Sequence, residues 1–187
     1  MADPYQRRSL EQNRMIHALI RDIVKHTFNN FERENPRSFR NDCEIVKKTM
    51  KQLFAAESYL PKDFSTSNLT VQQARDFISC ILEFCFQFDI PLSRAGSEMT
   101  DDLNRYLFLC IKYRKCAVTG RRGEIHHIDA IGMGRDRKHY DHTQSLLICL
   151  SREMHVLAHK IGWEAFKNKY HIDGIKLNAD TVRKLNI

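Results

Sequence analysis

The run GEIHHIDAIG, residues 123–132, sets two histidines side by side in a strand-like stretch. In an extended chain successive side chains point to opposite faces, so His126 and His127 would serve different surroundings. A second pair follows in SREMHVLAHKI, residues 151–161, where His155 and His159 stand in the spacing H-x-x-x-H. Ser151 suits an N-cap and Glu153 a first turn, so this run reads as a helix. Residues four apart on a helix share one face, with β-carbons about 6 Å apart. That spacing lets two imidazoles share one metal. The H-E-x-x-H pattern of zinc proteases is excluded, because Val156 and Leu157 follow His155 and no carboxylate stands ready as base.

The segments between and around the two pairs complete a unit. CAVTGRRGEIHHI, residues 116–128, reads as strand, glycine turn, strand, with Gly120 and Gly123 bracketing Arg121 and Arg122. A polar, basic loop runs from about 129 to 145, and SLLICL, residues 145–150, is a short buried strand. GWEAFKNKY, residues 162–170, is a further helix with Trp163, Phe166 and Tyr170 on one side. A histidine pair ending a hairpin, a basic loop, an apolar strand and a helix bearing H-x-x-x-H together describe a ββα arrangement around a metal.

Upstream the pattern is helical. Residues 9–31 repeat apolar side chains at helical spacing behind a possible capping box of Ser9 and Gln12. A second helix is expected over about 42–55, after a break at Pro36. Thr70 and Gln73 offer another capping box, opening a helix that is apolar on most sides and ends before Pro91. A fourth helix starts near Thr100, with Asp101 and Asp102 at its positive end, and runs to about Ile111. The fold class expected is α+β, mainly α: a helical domain over residues 1–95 and a ββα-metal module with its leading helix over residues 96–187.

Charge divides the chain in the same way. Residues 1–50 carry 10 Lys/Arg against 7 Asp/Glu, residues 51–110 carry 5 against 8, and residues 111–187 carry 15 against 8. The net +7 therefore resides in the last segment, which also holds seven of the nine histidines. A basic segment of this kind suits a polyanion such as nucleic acid. Arg121, Arg122, Arg135, Arg137 and Lys138 flank the histidines in loops and are candidates to grip phosphates. His139 and His171 are expected on the surface, without a role. No apolar run approaches the roughly 20 residues of a membrane span, and MADPYQRRSLEQ has no apolar core of a secretory signal. An intracellular, cytoplasmic protein is expected. The six cysteines lie mostly in apolar segments without a C-x-x-C, which points to reduced core thiols.

The stretches RYLFLCIKYRKCAVTG, IHHIDAIGMGRDRK, DHT and REMHVLAH resemble the HNH endonuclease family, and more closely the HNH nucleases of phages and prophages of Gram-positive bacteria. EQNRMIHALIRDI and ARDFISCILEFCFQFDIPL look like the same phage family and, more faintly, like the helical NinB-type recombination mediators that bind single-stranded DNA. The resemblance implies a DNA endonuclease acting in phage recombination or processing. It implies His126, His155 and His159 as ligands of one divalent metal, Mg²⁺, Mn²⁺, Zn²⁺ or Ni²⁺, and His127 as general base. Homodimerisation through the N-terminal helices is implied by analogy with the mediators. The family pattern has two departures. The asparagine expected nine residues before the first helical ligand is Leu146 here, so His142 or Gln144 is a candidate to hold the loop. Of the two C-x-x-C pairs many relatives use for a structural zinc, only Cys116 and Cys149 remain, which rules out a closed four-cysteine site. The rival expectation is a non-catalytic single-stranded-DNA-binding mediator with a vestigial HNH module.

Overall fold

The computed structural model describes residues 6–29, 31, 34–128 and 141–187. The chain forms two compact units, Met1–Asp102 and Leu103–Ile187. Among the described residues it is mainly helical with one two-stranded sheet, the α+β class expected from the sequence.

The first unit packs three helices, α1 (Leu10–Phe28), α2 (Pro36–Glu57) and α3 (Val71–Gln87). Both capping boxes form: Ser9 accepts the Gln12 N–H and Thr70 that of Gln73, while each glutamine side chain returns a bond to its cap. Ile16, Leu19 and Ile20 of α1 are buried with Phe77, Ile78, Ile81 and Leu82 of α3. Met50 and Phe54 of α2 join that core, where Phe54 and Phe64 lie 5.2 and 5.6 Å from the Phe77 ring. Two expected boundaries move. Asn29 adopts a left-handed conformation, φ 47°, and ends α1 at Phe28 instead of residue 31. Pro36 opens α2 instead of breaking the chain before it. It sits in the first turn, where a missing N–H breaks no helical bond, and the Asn35 side chain caps the Ser38 N–H at 3.1 Å.

The second unit holds α4 (Leu103–Lys112), β1 (Glu124–His127), β2 (Leu147–Leu150), α5 (Arg152–Ile161), α6 (Trp163–Tyr170) and α7 (Ala179–Lys184). β1 and β2 are antiparallel, with His126 opposite Ile148 and His127 opposite Leu147. All four residues of β2 are buried, and both α4 and α5 pack against this strand. The Tyr106 hydroxyl of α4 donates to the Ala117 carbonyl at 2.9 Å inside that core. The strand expected at 116–118 is absent. Residues 116–120 form a turn in which Gly120, φ +67°, donates to the Cys116 carbonyl, leaving one isolated bridge between Lys115 and Arg122. The partner of β1 is thus β2, reached across the basic loop. Short α7, capped by Asn178, has too few residues to show an amphipathic period and was not foreseen.

Gly123, immediately before β1, packs tightly against the end of β2. A β-carbon there would lie 2.8 Å from the Leu150 carbonyl oxygen and 2.8 Å from Cys149 Sγ, and the backbone oxygen cannot rotate away. Gly123→Ala is expected to destabilise the second unit by about 1–3 kcal/mol, as overpacking of a tight site does. Urea unfolding measures this, and an unchanged midpoint would contradict the close approach.

Candidate metal centre

Strand alternation sorts the adjacent histidines. His126 is 7% exposed and turns inward, whereas His127 is half-buried on the opposite face. The α5 N-cap is in place, with Ser151 Oγ accepting the Met154 N–H. Met154 and Ala158 bury one stripe of α5, which presents His155 and His159 beside it. The ring centroid of His126 lies 4.5 Å from that of His155 and 5.1 Å from that of His159, and the latter two are 4.9 Å apart. One nitrogen from each ring falls within 4.8 Å of the others. Burial declines from His126 through half-buried His155 to exposed His159, so the cluster opens to solvent on one side.

The nitrogens suit a cation. His155 Nδ1 is buried without a hydrogen-bond partner, a costly state unless something else engages it. Glu124 is the nearest anion, but its carboxylate lies 3.8 Å away, beyond hydrogen-bond length. Burial, with the neighbouring His155 and His159, lowers the His126 pKa to about 4, so its lone pair is available at neutral pH. Burial and His159 also lower His155, with Glu124 opposing them. Three neutral donors leave the full charge of a divalent ion to face an anionic ligand.

Protonation of His126 is coupled to folding in the metal-stripped protein. Its folded pKa, about 4, lies below the ordinary 6.5, so the unfolded chain binds the proton more tightly. Stability is therefore full above about pH 6.5 and falls progressively toward pH 4. Chemical unfolding across that window is expected to show this loss, and His126→Gln to reduce it, with His127 and His155, also lowered, contributing the remainder. A wild-type profile that is flat over the same window would contradict the burial of a neutral His126.

His127 faces elsewhere. Its Nε2 is 2.8 Å from Nδ1 of His142. Burial, then the neighbouring His142, lowers the His127 pKa, which favours the neutral imidazole a base requires. Leu146, at the position expected to be asparagine, accepts the Ile128 N–H through its carbonyl at 3.0 Å, so backbone pairing closes the foot of the loop. Gln144 bonds to Asp141 and Thr143.

The sequence profile of a family described as "Putative HNHc nuclease" matches residues 2–186. The chain belongs to this HNH nuclease family. No curated protein and no solved structure matches it. The match extends over both units, so the helical region is part of the family and not an appended segment.

The remaining candidates of this HNH chain divide by position. Arg121 and Arg122 are exposed in the turn before β1. Arg135, Arg137, Lys138 and His139 lie outside the described residues. Cys116 and Cys149 are fully buried in the core, and the three-histidine group is the only cluster of metal-ligating side chains among the described residues. His171 is exposed and ends α6 in a left-handed conformation. Two neighbours of the cluster went unrecognised in the sequence. Glu124 sits two residues before His126, on the same face of β1, and alternation alone points to it. Trp163 has its ring centroid 6.0 Å from that of His126, carried there by Gly162, whose φ of +81° turns the chain between α5 and α6. No helix is long and apolar enough to cross a membrane among the described residues.

Proposed function

We propose that this protein is a divalent-metal-dependent endonuclease that hydrolyses DNA phosphodiester bonds, with a place in phage DNA recombination or processing. The observation that carries the reading is the convergence of His126, His155 and His159 nitrogens within 4.8 Å, with His127 on the opposite face of the same strand. Membership of an HNH nuclease family supports it. In this reading the three histidines hold one cation, Mg²⁺, Mn²⁺, Zn²⁺ or Ni²⁺. A bound cation neutralises charge on the scissile phosphate and the leaving 3′-oxygen. His127 removes a proton from the attacking water, as an imidazole with a pKa near or below neutral can. Arg121, Arg122, Arg135, Arg137 and Lys138 bind the DNA backbone, which orients the substrate without reading its sequence. The first unit serves DNA binding or assembly and not catalysis, consistent with the lack of a metal-ligating cluster among its described residues.

The test is incubation of the full chain with plasmid, single-stranded and branched DNA, each with Mg²⁺, Mn²⁺, Zn²⁺, Ni²⁺ or EDTA. Cleavage that requires metal is expected, together with about one transition metal per chain after purification without chelator. DNA binding should weaken steeply with salt, with log K falling by about 4.5 per decade if about five phosphates are contacted. Salt-dependent binding to single-stranded DNA without cleavage under any metal would overturn the nuclease reading in favour of a non-catalytic mediator.

A further inference from the structure

We propose that the first unit binds a single-stranded segment of DNA along α1: cations of α1 and of the segment after α3 take its phosphates, and an apolar pocket beside Phe31 takes one of its bases. The inference deepens the nuclease reading, on which it rests for the identity of the ligand, by naming DNA with a single-stranded part as the substrate class.

Two concave sites lie side by side on this unit and share Asp22, Lys25 and Ser93 as lining. The first, a groove of about 340 Å³, is lined by four cations: Arg14, Arg21 and Lys25 of α1, and Arg94 of the segment after α3. Arg14, Arg21 and Lys25 stand seven and four residues apart, about 10.5 and 6 Å of helical rise, so they form one row along α1. Two exposed carboxylates, Glu11 and Glu98, line the same groove, so four positive charges stand against two. The third carboxylate, Asp22, is 3% exposed and accepts the Ser93 N–H at 2.8 Å and the Ser93 hydroxyl at 2.9 Å. That clamp fastens the far wall to α1, so the groove does not depend on a ligand for its shape. The guanidinium of Arg14 lies 3.3 Å from Glu11, but with five N–H donors it can hold a carboxylate and a phosphate together. Positive potential extends to His17, three residues after Arg14 and four before Arg21. Burial, then Lys47, lowers the His17 pKa, with Arg21 and Arg8 adding to them and Glu44 opposing.

The second site, of about 360 Å³, is apolar where the first is charged. Phe31, Pro91 and Leu92 line it, with Lys25 and His26 beside them. Phe31 is 41% exposed, and its carbonyl accepts the N–H groups of Glu34 and Asn35 at 3.0 and 3.3 Å, a turn that fixes its backbone just before α2. An exposed ring beside a row of cations is the combination that holds a single strand: bases stack on aromatic faces while the cations track the backbone. A duplex satisfies only half of it. Its phosphates can reach the arginines, but its bases are already paired and stacked, and none enters the Phe31 pocket without first being unstacked.

The experiment is fluorescence anisotropy of the full chain in EDTA, which blocks metal-dependent cleavage, with labelled oligothymidylate and with a duplex of the same length. Phe31→Ala and Phe31→Leu should each weaken single-strand binding roughly 5–150-fold, the scale of one base–aromatic stack, and leave duplex binding unchanged. Phe31→Trp should keep the single-strand affinity, which separates a lost ring from a lost apolar side chain. Arg14→Gln combined with Arg94→Gln should lower the single-strand slope of log K against log salt by about 1.4, or about 0.7 for each phosphate contact. Lys48→Gln, exposed on α2 and outside both sites, should leave that slope as it is. Four results would overturn the inference: wild-type single-strand affinity in Phe31→Ala, an equal loss on the duplex, an unchanged salt slope in the arginine pair, or the same fall in slope from Lys48→Gln. A chain that shows the expected losses but cuts no DNA with any metal would remove the nuclease reading and leave this site standing. A chain that cuts DNA while its variants bind like wild type would remove the site alone.

Discussion

Replacing His127 with alanine is expected to slow DNA cleavage by roughly 10²–10⁴-fold, the contribution of a positioned general base, while metal and DNA still bind. The separation follows from strand geometry. His126 and His127 are neighbours in sequence but lie on opposite faces of β1, and only His126 joins His155 and His159. Removing the His127 ring takes away the proposed proton acceptor and its contact with His142 at 2.8 Å, and leaves the rings of His126, His155 and His159 in place. Extra metal therefore cannot restore the rate. Metal affinity is followed through the single tryptophan, whose ring centroid is 6.0 Å from that of His126. Calorimetric titration with Mn²⁺ checks the same quantity. A His127→Ala protein that lost its metal would place His127 in the ligand set and reassign the base.

The parts of the fold that local chemistry determines were legible in the sequence. Ser9 with Gln12, Thr70 with Gln73, and Ser151 before an apolar stripe each define a helix start, and all three caps form. The approach of His155 to His159, and the separation of His126 from His127, were legible because they are local too: alternation divides one pair and a helical turn joins the other. What the sequence left undetermined depends on contacts between distant residues. Whether residues 116–118 pair as a strand is decided by the burial of Cys116 and Ala117, whose N–H groups bond to the Arg121 and Cys149 carbonyls. Pro36 reads equally as a break or as a first turn until Asn35 is seen to cap it. The His127–His142 contact joins residues separated by the basic loop, and no periodicity encodes it. Trp163 reaches His126 only because Gly162 takes a positive φ, a conformation that a glycine permits but does not announce.

His155→Ala is expected to fail in the opposite way, losing metal first and cleavage as a consequence. His155 occupies the middle of the cluster, with its ring centroid 4.5 Å from that of His126 and 4.9 Å from that of His159. Without it the cation has two imidazoles, one buried and one exposed. Loss of outer-shell partners alone costs a metal site about 10–100-fold in affinity, so loss of a direct ligand should weaken binding by at least about 100-fold. At micromolar metal the site is then largely empty, and DNA cleavage falls with its occupancy. Raising the metal concentration should refill the site and restore part of the rate, because His127 and its bond to His142 are untouched. The fold should survive: His155 is half-buried, and the α5 stripe that packs inward is formed by Met154 and Ala158. Removing the ring also takes away the nitrogen that lies buried without a partner, so the metal-free variant should be at least as stable as the metal-free wild type. Cleavage rate against metal concentration, measured beside Trp163 quenching, separates the two variants. The rate of His155→Ala climbs with metal and that of His127→Ala stays flat. If His155→Ala bound metal as tightly as wild type, the ion would sit elsewhere, and the three histidines would be a cluster without a cation.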